Sequence, residues 1–387
     1  MSETRRQLDT LAVHAGTPRP RVLGAIVTPV FQSAMYEDDG AGVYHDIRYI
    51  RLNNTPNHSA VQEKLAALEG AEAALVTSSG MAAITTTILT VLRAGDHLLI
   101  QDSLYGGTHA FVTRDLEGLG MSFSFIAADD ARSWEAKLRP TTRAIYVETI
   151  SNPLMLVPDL EAVVAFAKRH RIVSMTDNTF ASPVNFRPIE RGFDLSLHSG
   201  TKYLNGHSDI AAGAVVGAAD LVGRVKQKLD HLGGSLDPHA CFLLERGMKT
   251  LALRVRRQNE NAMRLATALD AHEAVARVHH PGLASHPAHA RAARLFDGMG
   301  GMLSLELKGG VGATERFMKA LRIPALAPSL GGVETLVTRP ALTSHSAVPP
   351  EERRALGITD SLVRVSVGIE AGEDLVEDFG QALARAA

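Results

Sequence analysis

The sequence is poor in cysteine, in net charge and in long apolar runs, and each shortage excludes a class of protein. Cys241 is the single cysteine of 387 residues, so disulfide frameworks and thiolate metal sites within one chain are excluded. The formal net charge of −2 gives no reason to expect nucleic acid or an anionic membrane as a partner. No stretch approaches the roughly 18 consecutive apolar residues of a membrane span.

The N-terminal sequence also lacks the features of a signal peptide. Residues 1–16 contain two arginines, but no apolar run follows them. Together with the single cysteine, which fits a reducing compartment, this absence predicts a cytoplasmic protein.

The length and the distribution of proline and glycine predict three parts. A chain of 387 residues exceeds what a single hydrophobic core usually serves. Residues 1–55 are interrupted by prolines and glycines and predict an irregular arm that lies on the rest of the protein or on a neighbouring subunit. We assign residues 56–245 to a large domain and residues 246–387 to a smaller C-terminal domain.

Helical and strand patterns alternate along the large domain. Strands are predicted within residues 73–77, 97–102, 121–129, 143–149, 171–178, 193–199 and 211–217. Helices are predicted within residues 59–70, 81–95 and 160–170. This alternation predicts an open, largely parallel sheet with helices on both faces. Residues 241–272 indicate one long or two consecutive helices, and strands within 302–310 and 362–370 predict a smaller α/β domain.

Polar and small residues follow several of the predicted strands. They are found at 78–81 (SSGM), 152–153 (NP), 177–178 (DN) and 199–202 (SGTK). Ligands of open α/β sheets bind beyond the carboxyl ends of the strands, so these residues are expected to meet in one crevice. A glycine at a helix N-terminus lets backbone N–H groups approach an anion closely.

An amine, a carboxylate and phosphate donors form the set that pyridoxal phosphate (PLP) requires. Its aldehyde takes a lysine as a Schiff base, its pyridine nitrogen needs a carboxylate, and its phosphate needs N–H groups and hydroxyls. Nucleotide sites fit less well. The sequence contains no GxxxxGK[ST] motif, and no GxGxxG follows the first strand.

Motifs along nearly the whole chain resemble those of one enzyme family. They are LAVHAG, YIRLNN, LAALEGAEAALVTSSGMAAI, YGGT, SNPLMLVPDL, TDNTFASP, SLHSGTKYLNGHSDI, RGMKTLALR, PGLASHP, GGMLSLELKGG, SLGGVETL and VRVSVGIE. The resemblance is to the PLP-dependent enzymes of cysteine and methionine metabolism, which include cystathionine γ-synthase, both cystathionine lyases and methionine γ-lyase. It implies the type I, aspartate-aminotransferase-like α/β fold, with a large mixed, mostly parallel sheet and a smaller C-terminal α/β domain.

The resemblance also implies roles for individual residues at the cofactor. Lys202 is expected to form the Schiff base and to move substrate protons, Asp177 to hold the pyridine nitrogen, and Tyr105 to stack on the ring. The residues expected to bind the phosphate, or to form the turn beside it, are Ser79, Gly80, Met81, Ser199 and Thr201.

Substrate and subunit contacts are implied in the same way. Asn152, Ser329 and Arg364 are expected to hold the α-carboxylate of an amino-acid substrate, a role that suits the forked guanidinium. Tyr49 and Arg51 resemble a Tyr-x-Arg pair that reaches the phosphate of a neighbouring subunit. The resemblance therefore implies a homotetramer built as a dimer of dimers.

The reaction is left open at this point. Elimination (C–S lyase) and replacement at the γ or β carbon of cystathionine, methionine or an O-acylhomoserine are both compatible with the motifs. A γ-lyase for a non-sulfur substrate and an aminotransferase are further alternatives. Two positions depart from lyase patterns, because Gly107 stands where methionine γ-lyases usually carry cysteine, and Pro328 where typical γ-lyases carry glutamate.

Two further clusters are interpreted as structural. The histidines at 279, 280, 286 and 289 are expected to be loop and capping residues, so no metal site is predicted. The basic run of Arg254, Arg256 and Arg257 is expected to lie on a solvated helix face.

Overall fold

A computed structural model describes residues 6–37, 40, 43–44, 47–346 and 348–386. The α-helices of the described residues are α1 (Leu8–His14), α2 (Pro56–Glu69), α3 (Gly80–Val91), α4 (Gly106–Arg114), α5 (Ala131–Lys137), α6 (Leu160–His170), α7 (Ser182–Asn185), α8 (Ala219–Leu232), α9 (Pro238–Met248), α10 (Leu251–Asp270), α11 (His289–Leu295), α12 (Gly310–Ala320), α13 (Pro350–Ala355) and α14 (Gly372–Ala384). The strands are β1 (Ala73–Thr77), β2 (His97–Gln101), β3 (Ser122–Ile126), β4 (Thr142–Glu148), β5 (Val173–Asp177), β6 (Leu195–Ser199), β7 (Gly213–Gly217), β8 (Val275–His279), β9 (Met302–Leu307), β10 (Ala325–Leu326), β11 (Leu336–Thr338) and β12 (Val363–Ser366).

The larger sheet has seven strands in the order β1-β7-β6-β5-β4-β2-β3. Strands β6, β5, β4, β2 and β3 run parallel, while β7 is antiparallel to both of its neighbours. The predicted mixed, mostly parallel sheet is therefore confirmed. Its strands are apolar because both faces of the sheet are buried, with alternate strand residues in two separate core clusters.

The C-terminal region contains a second sheet of five strands. Their order is β10-β11-β12-β9-β8, and all neighbours are antiparallel except the short pair β10 and β11. Helices α12 and α14 pack beside it around Phe317 and Phe379, whose rings meet edge to face at 5.7 Å. This arrangement confirms the smaller α/β region.

Local sequence explains where the helices at the larger sheet begin and end. The side chains of Ser79 and Asp159 accept the N–H groups of Ala82 and Ala162, and so cap α3 and α6. Gly70 ends α2 in a left-handed conformation. Of the two alternatives predicted for residues 241–272, the structure has two consecutive helices, α9 and α10. Within the described part of the chain, no helix is long and apolar enough to cross a membrane.

The N-terminal arm is less irregular than its composition suggested. Its first described residues form α1, which buries Leu8 and Ala12 in the main core. The buried ammonium of Lys64, on α2, donates to the Ala12 carbonyl at 2.9 Å. Apolar burial explains why a helix forms here in spite of the nearby prolines. The three-part division at residues 55 and 245 stays a prediction.

Candidate active site

The structure contains a cavity of about 640 Å³ beyond the carboxyl ends of the parallel strands. Eleven of the thirteen residues predicted for the site line it. They are Ser79, Gly80, Met81, Tyr105, Asn152, Asp177, Ser199, Thr201, Lys202, Ser329 and Arg364. The first nine come from the larger sheet and its loops, and the last two from the C-terminal region. The strand-end pattern and the family resemblance together therefore predicted which residues line the cavity, while the roles of these residues stay predictions.

Asp177 ends β5, and its carboxylate lies in the cavity wall. It accepts the N–H of Thr179 at 2.9 Å and lies 3.5 Å from the hydroxyl of Tyr146. Burial raises the pKa of Asp177, and the hydrogen bonds from Thr179 oppose that rise. Among the residues that the structure describes, it forms no ion pair, so a cationic ring nitrogen would supply the charge that this carboxylate lacks.

Lys202 follows β6 on a tight turn, and its side chain points into the cavity. Its amine donates to the Ser329 hydroxyl at 2.8 Å. Burial, with a smaller effect from the nearby Arg364 cation, lowers the pKa of Lys202 to about 8. Ser329 holds a positive φ of 86°, an uncommon conformation for a residue with a side chain and one typical of functional sites.

The turn that begins α3 lies directly against the turn that carries the lysine. A Cβ added at Gly80 would lie 2.9 Å from the Ser199 Cβ, so only glycine fits this approach. The first N–H groups of α3 lack helical partners and are available to an anion. The hydroxyl of Thr201 accepts the N–H of Ala212 at 2.9 Å, which fixes the second turn.

Arg364 lies on β12 and is buried with few partners. It donates to the Asn152 side-chain oxygen at 3.1 Å and to the Ser329 carbonyl at 2.8 Å. Its Nε has no hydrogen-bond partner among the described residues, and the guanidinium has no carboxylate partner there. Burial lowers its pKa to about 10, so it is cationic at neutral pH. A buried, incompletely paired cation suits the carboxylate of a ligand.

Tyr105 precedes α4 and is 44% exposed, with its ring at the mouth of the cavity. Its backbone N–H donates to Glu148 at 2.6 Å. The sequence analysis did not single out Glu148, although one signal was present. It is the acidic residue that closes the apolar strand segment AIYVE.

Tyr49 and Arg51 do not line the cavity of their own chain. Arg51 donates to the Asp230 carbonyl and to the hydroxyl of Tyr44, and its guanidinium lies 5.5 Å from the centre of the Tyr49 ring. The predicted contact of this pair with a neighbouring subunit stays a prediction.

The histidine cluster makes structural hydrogen bonds. The Nδ1 atoms of His280 and His286 accept the N–H groups of Gly282 and Ala288. The described residues contain no group of three or more histidine, cysteine or acidic side chains that could hold a metal ion.

Arg254 contradicts the solvated-face interpretation of the basic run. It is only 4% exposed and donates to the carbonyls of Tyr203 at 2.9 Å and Gly247 at 2.8 Å. Arg256 does lie at the surface and pairs with Asp9. The interpretation was wrong for Arg254 because its burial depends on the turn after Lys202, which local sequence does not reveal.

The residues present fit PLP. The glycine turn at Gly80 leaves no room for a side chain, the Asp177 carboxylate lacks a cation, and Lys202 has a lowered pKa. Lys202 would hold the aldehyde, Asp177 the pyridine nitrogen, and the turns at 79–81 and 199–201 the phosphate. When bound, the cofactor supplies an electron sink for charge that develops on the substrate.

Comparison with known proteins agrees with this chemistry. The family described as "Cys/Met metabolism PLP-dependent enzyme" matches residues 9–384. The chain is 41% identical to a cystathionine β-lyase of Coxiella burnetii over 382 residues, which cover 98% of both proteins. It is 42% identical to an L-methionine γ-lyase of Pseudomonas putida over 384 residues, which cover 97% of this chain and 96% of the relative.

Solved structures give the same result. A cystathionine γ-synthase of Xanthomonas oryzae pv. oryzae in complex with cystathionine matches with a TM-score of 0.95, 40% identity and 99% coverage of both chains. A cystathionine γ-lyase of Lactobacillus plantarum complexed with L-serine matches with a TM-score of 0.94 and 36% identity, covering 98% of this chain and 99% of that chain. The predicted type I fold, the PLP cofactor and elimination or replacement chemistry of the trans-sulfuration type are thereby confirmed. The chain belongs to the family of PLP-dependent enzymes of cysteine and methionine metabolism.

Proposed function

We propose that the protein is a C–S lyase, which eliminates a sulfur substituent from the β or γ carbon of an amino acid. The observation that carries this proposal is the position of the Lys202 amine. This amine has a lowered pKa and lies beside a buried site that could bind the carboxylate of a substrate. Lys202 Nζ and the Arg364 guanidinium contact the same residue, Ser329, through its hydroxyl and its carbonyl. A substrate whose carboxylate binds Arg364 therefore presents its α carbon close to Lys202.

Arg364 and Asn152 would bind the substrate carboxylate. The buried guanidinium is positively charged at neutral pH, and its Nε–H is available for a further acceptor. A carboxylate accepting from Arg364 would satisfy this donor and neutralise the buried charge. The Asn152 amide, oriented by its own bond to Arg364, lies at the same place.

Lys202 would move the substrate protons. A pKa of about 8 gives a substantial fraction of neutral amine at physiological pH, which can take a proton from carbon. The same group then returns a proton to a neighbouring carbon. The Ser329 hydroxyl, 2.8 Å away, holds the amine toward the substrate between these transfers.

The rest of the wall suits a sulfur-containing side chain. Apolar residues contribute much of the lining, namely Ile84, Ile150, Phe180, Pro328 and Leu330. A thioether is weakly polar and loses little hydration on entering such a site. Tyr105, at the mouth, would stack on the cofactor ring and assist departure of the sulfur group.

The test supplies purified protein and PLP with L-cystathionine, L-methionine or an O-acylhomoserine, each with and without L-cysteine. We expect a thiol, ammonia and a 2-oxo acid from a thioether substrate and one water, without added cysteine. Pyruvate with homocysteine from cystathionine indicates elimination at the β carbon. 2-Oxobutyrate with cysteine indicates elimination at the γ carbon. Lys202→Ala, the control, should abolish product formation.

Replacement is the second candidate, and the match to the Xanthomonas cystathionine γ-synthase favours it. In that reaction a thiol such as cysteine displaces the γ substituent of an O-acylhomoserine. Cystathionine formed only when cysteine is present, with no 2-oxo acid in its absence, would establish replacement and contradict the lyase proposal. An aminotransferase would instead require a 2-oxo acid as amino-group acceptor.

We also propose that the arm joins this chain to a second copy, with two such dimers forming a tetramer. Several apolar arm residues are exposed in the isolated chain, including Leu23, Ile26 and Met35. Their burial against another subunit would stabilise the arm. Light scattering should give four times the 41.4 kDa chain mass, and a monomer would contradict the proposal. A cytoplasmic location stays a prediction.

A further inference from the structure

Glu148 is a buried carboxylate at the edge of the candidate active site. It ends β4 and is 5% exposed, and it lines the same cavity as Lys202 and Asp177. In the parallel pairing of β4 with β5, Glu148 stands directly opposite Asp177. Two acidic side chains therefore end adjacent strands in a poorly solvated place, which costs free energy.

Glu148 faces two separate segments of the site. The backbone N–H of Tyr105 donates to its Oε1 at 2.6 Å. The backbone N–H of Asn152 faces the same carboxylate and lowers its pKa. Tyr105 begins the segment that continues into α4, while Asn152 contacts Arg364 through its side chain.

The neighbouring strand reinforces the first of these contacts. The backbone N–H of Glu148 donates to the Gln101 side-chain oxygen at 3.0 Å, and the Gln101 amide donates to the Ser103 carbonyl at 2.8 Å. The segment between β2 and α4 is thus fixed at Ser103 and at Tyr105, and both contacts originate at the ends of β2 and β4. Tyr105 itself provides no side-chain cap for α4.

We propose that Glu148 is a positioning residue, which fixes the position of the Tyr105 ring relative to the Asn152 amide. This inference rests on the proposed function, because it assumes that both residues contact the cofactor or the substrate. A buried acidic side chain opposite Asp177 costs free energy. Its presence there is explained if its two oxygens, which glutamine cannot both supply, hold the two segments in place.

The ionisation of the pair supports this geometry. Burial, and then the Asp177 charge, raises the pKa of Glu148 well above its usual range, while the N–H groups of Tyr105 and Asn152 oppose that rise. The titratable groups that face it are Asp177 and Tyr146. Loss of either N–H contact would leave the carboxylate less stable, so the two segments and the carboxylate stabilise one another.

The test compares Glu148→Gln with a matched control, Asp378→Asn. Asp378 is also 5% exposed and accepts backbone N–H groups, those of Arg322 at 3.0 Å and Ile323 at 2.9 Å, but does not line the cavity. Glutamine keeps one acceptor oxygen and turns an NH₂ group toward the other donor. Both variants should lower the melting temperature to a similar degree. A difference between them in activity, cofactor dichroism or ligand affinity then reports on positioning and not on stability.

For Glu148→Gln we expect kcat/KM to fall by about 10²-fold, the scale of a misplaced catalytic group. The visible circular dichroism of the bound cofactor should change, and the Kd of an unreactive amino acid such as glycine should rise about tenfold. Asp378→Asn should leave all three near wild type. Unchanged dichroism and Kd for Glu148→Gln, with only the melting temperature lowered, would overturn the proposal.

Double-mutant cycles give an independent check. If Glu148 acts through Tyr105 and Asn152, the effect of Glu148→Gln on the glycine Kd should shrink in the Tyr105→Ala or Asn152→Ala background. Additivity in both backgrounds would contradict the inference. Failure of the proposed function is distinct, because it would appear as absent lyase activity in the wild type, whereas the dichroism and the Kd do not depend on the reaction.

Discussion

The lowered pKa of Lys202 predicts an unusually reactive amine in the cofactor-free protein. An ordinary lysine has a pKa of 10.5, and burial lowers that of Lys202 to about 8. At pH 7 the neutral fraction is then about 10%, against about 0.03% for the ordinary side chain. The difference of about 2.5 between the two pKa values corresponds to about 300-fold more reactive amine.

The assay is labelling of the cofactor-free protein with limiting formaldehyde and a mild borane reductant, followed by peptide mapping by mass spectrometry. Lys202 labelling should rise tenfold per pH unit below pH 8 and level off above it. Arg364→Gln should move the midpoint upward, because the Arg364 cation contributes to the lowered pKa. A midpoint near 10.5 in the wild type would refute the reasoning.

Lys64 is an internal control for this experiment. Its pKa is also lowered by burial to about 8, but it is fully buried and donates to the Ala12 carbonyl outside the cavity. A low pKa without access should give no labelling of Lys64 in the folded protein. Equal labelling of Lys64 and Lys202 would mean that the labelling measures unfolding of the protein and not the reactivity of the amine in the site.

The same pKa has a consequence for stability in the cofactor-free protein. Between about pH 8 and pH 10.5 the unfolded chain binds the Lys202 proton and the folded chain does not, so folded stability rises with pH in this window. Lys202→Met lacks this contribution. Relative to that variant, the wild type should gain about 3 kcal/mol between pH 7 and pH 10.5, measured by urea unfolding.

Two substitutions of glycine test the close approaches described above. Gly80→Ala would place a Cβ 2.9 Å from that of Ser199, so the two turns expected to bind the phosphate would have to move apart. We expect the Kd for PLP, measured by equilibrium dialysis, to rise at least about tenfold. Gly118→Ala is the control, because open space surrounds Gly118 and the Kd should not change. Gly206→Ala would place a Cβ 1.9 Å from an Arg254 nitrogen at a φ of +74° and should lower the free energy of unfolding by about 1–3 kcal/mol, measured by urea titration. A loss below a few tenths of a kcal/mol would show that Arg254 moves freely.

Local sequence patterns predicted most of the strands and helices of the larger sheet. The prediction for α6 matches its bounds of Leu160–His170, and β1 was predicted as Ala73–Thr77. These elements combine a clear apolar period with a capping residue or a turn at each end. The crevice could be predicted as well, because parallel strands place their carboxyl ends together whatever the details of packing.

What sequence could not predict depends on contacts between distant segments. Arg254 has the composition of a surface helix residue, yet it binds carbonyls of a turn about 50 residues earlier. Glu148 accepts the backbone N–H of a tyrosine 43 residues away, and nothing in its own strand indicates that contact. Likewise α1 forms because α2 and the core cover its apolar residues. In each case the partner is specified by the fold.

The position of β7 in the sheet has a consequence for synthesis of the protein. Among the described residues, β1 pairs within the sheet with β7 alone, and β7 is made about 140 residues later, so the sheet beside the turn after β1 is incomplete until residue 217 has left the ribosome. Arg364 arrives another 147 residues later. We therefore expect nascent chains to acquire the ability to capture PLP before they can recognise an amino acid. Ribosome-bound chains that expose residues 1–250 should retain PLP, and failure to do so would show that the C-terminal region is needed to complete the cofactor site.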